Sequence, residues 1–520
     1  MSIEAVQLGL FANRISSVAD EMGAVLRRAA FSPNIKDRLD YSCAVFDARG
    51  NLCAQAAHIP VHLGSMAYAA SGIINAFDWQ PGDTVIFNDP YRGGTHLPDI
   101  TLMSPVFEAQ QLIAFVANRA HHANVGSETP GSMPISTSLD DEGVLISPTL
   151  LGRDFEIDHD FMSHLLRSFG EEDGADLVAQ WSANRRGIER MGKLLADYGS
   201  ANYLSNINAL QDYGRRLATQ MLAKMPRGHF TYEDFLDDDG QGNFHIPIHA
   251  KISISEKKFL VDFKGTAPQV QGNLNCPISV TAASVYYVFR CLLPASAPTC
   301  AGLFSPIDIL APAGSLLNAK FPAAVAAGNV ETSQRITDVL LGALNKAIPE
   351  RMPAASQGTM NNLAMGAVAQ DGASPWSYYE TIAGGTGAFP GGKGLSATHS
   401  HMTNTLNTPI ESLETHFPVR LGRYEIRRHS GGIGRFAGGD GLVREYEFLK
   451  PARATLLTER RNEAPWGIDG GGSGQPGKNT LNGKQLAAKA EITLNPGDIL
   501  CVETPGGGAC GSLSPEGEGG

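Results

Sequence analysis

Thr84-Val-Ile-Phe87, then Asn88-Asp-Pro-Tyr-Arg-Gly-Gly-Thr-His-Leu-Pro-Asp-Ile100, then Leu112-Ile-Ala-Phe-Val-Ala117 running on to His121-His122, is the stretch that sets the architecture. Pro81-Gly82-Asp83 turns the chain into the first apolar run, which reads as a short strand. The block after it crowds an imidazole, carboxylates and two glycines into one turn. The second apolar run reads as a buried strand that delivers His121 near its end, and of the adjacent pair His121-His122 a strand points only one inward. His96 and Asp99, in an H-x-x-D spacing, can place an imidazole nitrogen and a carboxylate oxygen on one ion. A third ligand from the neighbouring strand would leave coordination positions open, which suits catalysis by Zn, Mn or Fe(II) better than structural bracing. The same pair also fits a hydrogen-bonded loop brace, and the spacing alone does not choose between them.

Working outward, residues 4–30 carry apolar side chains at helical spacing (Val6, Leu10, Ile15, Val18, Met22, Leu26), an amphipathic helix. Asp40 to Gln55 reads as strand, Asp-Ala-Arg-Gly-Asn turn, strand, and Pro60 to Phe77 as a helix. Between about 158 and 224 the texture changes to long amphipathic helices, Leu177 to Tyr198 and Ala201 to Met225, ended by Pro226-Arg-Gly228. Phe244 to Ile254, Lys258 to Lys264 and Pro306 to Ala311 read as strands, with helices near 279–291 and 331–348. Tyr424 to Arg428, Gly441 to Leu449, Ala454 to Glu459 and Ile499 to Glu503 are further strands, in a region punctuated by glycine. The fold class that follows is α+β and multi-domain, with mixed and mostly antiparallel sheets. Its expected parts are an N-terminal α/β metal-site region (1–157), a helical insert (158–226), a central α+β region (227–419), a glycine-rich β region (420–512) and a disordered tail (513–520).

A chain of 520 residues exceeds one compact core. Its formal net charge of −12 argues against a nucleic-acid partner, which needs a basic face. No apolar run is long enough for a bilayer, and Met-Ser-Ile-Glu-Ala lacks a signal-peptide pattern, so a cytoplasmic protein with no membrane partner is expected. Seven cysteines (43, 53, 276, 291, 300, 501, 510), an odd number without a C-x-x-C pair, read as reduced thiols. The 58 glycines cluster after about residue 380, where repeated Gly-Gly pairs point to tight turns and close backbone approaches.

Some motifs are discounted. Gly387-Ala-Phe-Pro-Gly-Gly-Lys393-Gly394 nearly spells a phosphate loop, but Gly394 stands where a Mg²⁺-ligating hydroxyl belongs and no strand–helix frame surrounds it. Gly472 to Gly477 and Gly506 to Gly511 fit G-x-G-x-x-G without opening a helix. His399 and His401 share one face of an extended segment, with Glu411 and Glu414 just beyond. These, like Glu380, fit either a second polar cluster or ordinary surface and strand-end positions.

Several blocks, in order, resemble the hydantoinase B/oxoprolinase family across about residues 3–511. They are Asp40-Tyr-Ser-Cys-Ala-Val-Phe-Asp47, the Asn88–Ile100 block, His121-His122 with Pro130-Gly-Ser-Met-Pro134, Gln180-Trp-Ser-Ala-Asn-Arg-Arg-Gly187, Gly265-Thr-Ala-Pro-Gln-Val-Gln-Gly-Asn-Leu-Asn275, Tyr379-Glu-Thr-Ile-Ala-Gly-Gly385 and Ser430-Gly-Gly-Ile-Gly-Arg-Phe-Ala-Gly-Gly439. The resemblance implies one subunit of an ATP-dependent amidohydrolase that opens 5-oxoproline, a hydantoin or a related lactam. It also implies a hetero-oligomer with a hydantoinase A-like subunit that binds ATP and Mg. By position it implies metal ligands at His96, Asp99 and His121, with Asp40 as a fourth. His122 and Glu142 are candidates for proton transfer or for orienting His121. The alternatives are a subunit of an ATP-dependent ketone carboxylase and a non-catalytic scaffold. Lactam amides resist water because of resonance, and five-membered rings lack the strain that would help, which gives ATP a purpose.

Overall fold

The computed structural model describes residues 5–56, 59–170, 174–367 and 375–513. All but Leu513 of the tail expected to be disordered lies outside them. The amphipathic start forms α1 (Ala5–Ala29), which buries Ile15, Val18, Met22 and Leu26 of the face that the spacing predicts, together with Phe11, whereas Val6 and Leu10 of that face are exposed. A single turn, α2 (Pro33–Lys36), leads into β1 (Tyr41–Asp47) and β2 (Leu52–Gln55), the expected hairpin. Next come α3 (Pro60–Ile74), β3 (Thr84–Phe87), β4 (Asp99–Glu108), β5 (Gln111–His121), β6 (Thr149–Arg153) and β7 (Glu156–Ile157). The seven strands make one sheet in the order β2-β1-β5-β4-β3-β6-β7. Alternation along β1 sorts its two faces. Cys43 and Val45 pack with α1, whereas Ala44 and Phe46 pack with Met66, Ala70 and Ile73 of α3.

The helical stretch consists of α4 (His159–Phe169), α5 (Ala175–Tyr198) and α6 (Ser200–Ala223). Asp158 caps α4 by accepting from Phe161 N, and Gly170 ends it in the left-handed region, φ 71°. α5 lies along α1 and across β4 and β5, burying Leu177, Trp181, Met191 and Leu194. Its packing against the sheet, rather than helix propensity alone, fixes it.

The middle of the chain supplies β8 (Gly228–Asp238), β9 (Phe244–Ile254), β10 (Phe259–Asp262), α7 (Ile278–Cys291), α8 (Ala301–Phe304), β11 (Ile307–Leu310) and α9 (Ser333–Asn345). These strands form a four-stranded sheet, β11-β10-β9-β8, whose β10–β11 pair is the only parallel strand pair among the described residues. Ile248, Ile252, Val261, Val288, Leu340 and Leu344 fill its core. The C-terminal part carries β12 (Asn362–Ala367), β13 (Trp376–Glu380), α10 (Ile410–His416), β14 (Val419–Arg427), β15 (Gly441–Phe448), β16 (Ala452–Leu457), β17 (Lys478–Leu481), β18 (Lys484–Gln485), β19 (Lys489–Leu494) and β20 (Ile499–Glu503). They form two sheets, β13-β12-β16-β19 and β14-β15-β20-β17-β18. The fold is α+β, with several mostly antiparallel sheets, as expected.

No cysteine pair is bridged, and six of the seven are buried. No helix among the described residues is long and apolar enough to cross a membrane. The glycine-rich region stacks loops backbone against backbone: Gly439 N–H donates to Thr386 O, Gly507 N–H to Gly439 O and Gly508 N–H to Ala355 O. A Cβ on Gly438 would lie 1.9 Å from Gly507 O, and backbone cannot step aside as a side-chain tip can. Gly438→Ala is therefore expected to cost about 1–3 kcal/mol, as overpacking does, and to lower the urea midpoint. Gly9→Ala is the control: a Cβ there meets nothing within 4 Å, so it should hold or raise the midpoint.

Candidate metal centre

Strand register brings the centre together. β4 and β5 form a hairpin in which Asp99 sits directly opposite His121. β1 flanks β5 on the other side, pairing Tyr41 with Ala120, so that His121 N–H donates to Asp40 O at 3.0 Å. His96 precedes β4 by one tight turn, closed by Asp99 N–H donating to His96 O at 3.1 Å. Its imidazole meets that of His121 edge to face, with ring centroids 5.1 Å apart. One ligand atom each from His96, Asp99 and His121 falls within 4.8 Å of the others, and all three residues are buried.

The fit to a divalent ion rests on orphaned atoms. His96 Nε2, Asp99 Oδ1 and His121 Nε2 are buried without a hydrogen-bond partner, a state that costs about 1–3 kcal/mol per group unless something polar completes it. The remaining atoms of these side chains are engaged. His96 Nδ1 donates to Ala326 O at 3.2 Å, which leaves the Nε2 lone pair free. Asp99 Oδ2 accepts from Thr95 Oγ1 at 2.5 Å, from His62 Nε2 at 3.1 Å and from Asn329 Nδ2 at 3.4 Å. His121 Nδ1 faces the Asn34 amide nitrogen at 3.3 Å, and Tyr379 stacks on its ring at 4.5 Å, 4° from parallel. For His121 Nε2 to offer its lone pair, the proton must sit on Nδ1 with the Asn34 amide turned to accept it, at the expense of the Arg38 bond to Asn34 Oδ1. Two imidazoles and a carboxylate suit Zn, Mn or Fe(II).

Electrostatics put Asp99 and His121 in the protonation state that a ligand needs and work against it at His96. Burial pushes Asp99 up, but the His62 and His96 imidazoles beside it hold its carboxyl well below the usual range. Burial, aided by the neighbouring His96, drives His121 well below the ordinary imidazole value. Burial also works to lower His96, yet the adjacent Asp99 charge leaves it raised. Asp40 is raised by burial, against the pull of Arg38, whose Nη2 lies 3.7 Å from Asp40 Oδ2.

The other candidates sort by position. Asp40 stands beside the three, its Oδ1 4.0 Å from His62 Nε2, but it is not one of the tight cluster. The His122 ring points to α5, where Nε2 meets Gln180 Oε1 at 2.8 Å. Glu142 lies behind His96: its Oε1 accepts from Ser136 Oγ and from the backbone N–H of Val325 and Ala326, and Ala326 in turn receives His96. His401 Nε2 is 3.7 Å from Asp338, and both nitrogens of His399 lack partners. Glu380 pairs with Arg444 at 2.9 Å and accepts from Tyr446 Oη at 2.6 Å. Glu414 accepts from Leu421 N, and neither it nor Glu411 joins the centre.

Sequence reasoning missed His62, Asn34, Arg38, Asn329 and Tyr379. His62 had one usable signal. It lies on the first turn of a helix begun by Pro60, between two blocks already singled out.

The family model described as hydantoinase B/oxoprolinase matches residues 4–513, so the chain belongs to that family. It is 39% identical to 5-oxoprolinase 1 of Arabidopsis thaliana over 98% of its own length and 42% of the relative's. It thus spans about two fifths of the first curated relatives it matches. The ATP-dependent caprolactamase of Pseudomonas jessenii superposes with a TM-score of 0.90 at 26% identity, covering 98% of this chain and 92% of that one. An acetone carboxylase superposes at 0.89 over 98% of this chain and 76% of that one, but at 17% identity it shows the fold alone.

The Glu142 carboxyl gives a pH signature. Burial raises it from its ordinary 4.5 to about 7, despite the Ala326, Ser136 and Val325 hydrogen bonds. A raised folded-state value means stability that is fully present below about 4.5 and is lost as pH rises through about 7. Glu142→Gln should flatten the fall in thermal midpoint across that window, measured against the wild type at each pH. Parallel curves would assign the fall to other groups.

Proposed function

We propose that the chain is the metal-containing hydrolytic component of an ATP-dependent cyclic amidase that opens 5-oxoproline, a hydantoin or a related lactam. The observation that carries this reading is the convergence of three buried, unpartnered ligand atoms from His96, Asp99 and His121 in a chain of the hydantoinase B/oxoprolinase family. A Zn, Mn or Fe(II) ion held by His96, Asp99 and His121 would supply Lewis acidity toward the oxygen of the carbonyl under attack and would acidify water.

The protein's own groups hold the centre rigid. His62, Thr95 and Asn329 pin one Asp99 oxygen so that the other faces inward. Arg38 balances Asp40, and its Nη1 ties the Tyr379 carbonyl at 2.7 Å. Glu142 acts as a positioning residue for His96 through Ala326, and His122 braces the end of β5 against Gln180. Burial excludes bulk water, which strengthens each of these contacts.

A hydantoinase A-like subunit would bring the ATP and Mg. Two observations support it. The chain accounts for about two fifths of the plant 5-oxoprolinase it resembles, and it matches 92% of an ATP-dependent caprolactamase chain. The Gly387–Gly394 segment, the nearest approach to a phosphate loop, is a turn within the stacked glycine loops, with Gly394 N–H donating to Ala437 O.

The test is ATP-dependent release of the opened amino acid from 5-oxoproline by the chain together with such a partner, alongside elemental analysis. About one equivalent of metal is expected. His96→Ala and Asp99→Ala should lose that metal and at least about 100-fold in rate, beyond the 10–100-fold typical of outer-sphere changes. Full activity in metal-free protein, or ATP-dependent carboxylation of a ketone in its place, would contradict the reading.

A further inference from the structure

One element behind the centre is unusual. Residues Gly328–Thr332 form a π-helical turn at the entry to α9, with Ser333 N–H reaching back to Gly328 O. Such turns are rare and concentrate at functional sites, because the wide turn re-aims the side chains it carries. The turn is tightly seated: a Cβ on Gly328 would fall 1.9 Å from Asn275 O, and Cys276 Sγ donates to Gly328 O at 3.1 Å. Its residues are fully buried, yet two are strongly polar, Asn329 and Glu331.

Both polar residues lead to the metal candidates by separate routes. Asn329 Nδ2 donates to Asp99 Oδ2 at 3.4 Å. Glu331 Oε1 accepts from Asn362 Nδ2 at 2.6 Å and from Met360 N at 2.9 Å. The Asn362 amide, oriented by that bond, accepts at Oδ1 from Tyr379 Oη at 2.6 Å. Tyr379 presents its ring face to His121, with Arg38 stacked beside it at 5.0 Å. Glu331, Asn362 and Tyr379 are each buried, with 1% exposure or less. Asn362 is held against turning over, because its Nδ2 also donates to Leu457 O at 2.8 Å.

We infer that the π-turn at Gly328–Thr332 is the positioning element of the centre, with Asn329 aligning Asp99 and Glu331 aligning His121 through Asn362 and Tyr379. This rests on the metal reading given above. The chemistry explains the residue types. Hydrogen bonds at its nitrogens set how an imidazole turns within its own plane, as Asn34 does at His121 Nδ1, whereas a flat neighbour sets the tilt of that plane. A tyrosine serves as that neighbour only if its hydroxyl is anchored, and the anchor here is an amide whose orientation a carboxylate dictates. In a buried, low-dielectric setting such a chain of bonds is stiff, because any break leaves a polar group unpaired. Glu331 needs only an acceptor oxygen for this role, so its amide analogue should keep it.

The test is Co(II) binding to the full-length metal-stripped chain, read by chelator competition for Kd and by the visible ligand-field spectrum for geometry. Wild type should bind about one Co(II). Glu331→Met, which removes the acceptor, and Asn329→Leu should weaken binding by roughly 10–100-fold, the range for outer-sphere partners of metal ligands. Both should also alter the spectrum. Glu331→Gln should restore wild-type Kd and spectrum. Tyr379→Phe, which keeps the ring and loses the anchor, should alter the spectrum even if Glu331→Met proves too unstable to purify. Unchanged Kd and spectrum in Tyr379→Phe and Asn329→Leu would overturn the inference while leaving the metal reading intact. No Co(II) bound by wild type would overturn both.

Discussion

The registry of β1, β5 and β4 is the constraint on which the rest depends. Because Asp99 pairs across from His121, and Asp40 adjoins His121 on the other flank, three strands end their ladders at one place with their polar residues together. A slip of one residue in β4–β5 would send Asp99 and His121 to opposite faces. Burial on both faces prevents that slip. Val116 belongs to the layer under α1 and α5, and Phe115 and Ala117 to the layer under α3, so shifting the strand would exchange side chains between two close-packed layers that each fit only their own set. The apolar core thereby specifies the geometry of a polar site.

Burying that much charge needs compensation, and the chain supplies it pairwise. Asp99 has His62 Nε2 at 3.1 Å and His96 Nε2 at 3.4 Å beside its Oδ2, and Asp40 is matched by Arg38. A second buried network lies away from the centre. Arg460 bridges Asp234 and Asp338 at 2.8 and 2.6 Å, and Arg335 and Lys489 meet Glu459. This network ties β8 and α9 to the segment after β16. Such pairs contribute little net stability beside apolar packing, but removing one partner leaves a charge stranded, at about 3–5 kcal/mol. They fix how the parts meet more than how strongly.

Sequence carried the ligand candidates because they sit in one short block and at the end of one apolar run. His96 and Asp99 are three residues apart, and the run from Leu112 to Ala117 announces the strand that places His121. Side-chain alternation also foretold that only one of His121 and His122 would face the centre. What surrounds the ligands was not legible. Asn329, Glu331, Asn362 and Tyr379 lie more than 200 residues further along, on a π-turn and two adjacent strands of another sheet, and of these only Tyr379 falls in a block that the sequence singles out. Glycine clustering pointed to close backbone contact, and Gly438 against Gly507 bears that out, but which loops stack on which is a tertiary fact. His399 and Glu380 show the limit from the other side: as residue types they suit a site, yet Glu380 is spoken for by Arg444 and Tyr446.

Whether His96, Asp99 and His121 share one ion is read out by anomalous diffraction from metal-loaded crystals. A shared ion gives a single strong peak about 2.0–2.2 Å from His96 Nε2, Asp99 Oδ1 and His121 Nε2, as for imidazole and carboxylate ligands of such ions. Loaded protein with its peak elsewhere, or with those three atoms bridged only by water, would rule out a shared ion.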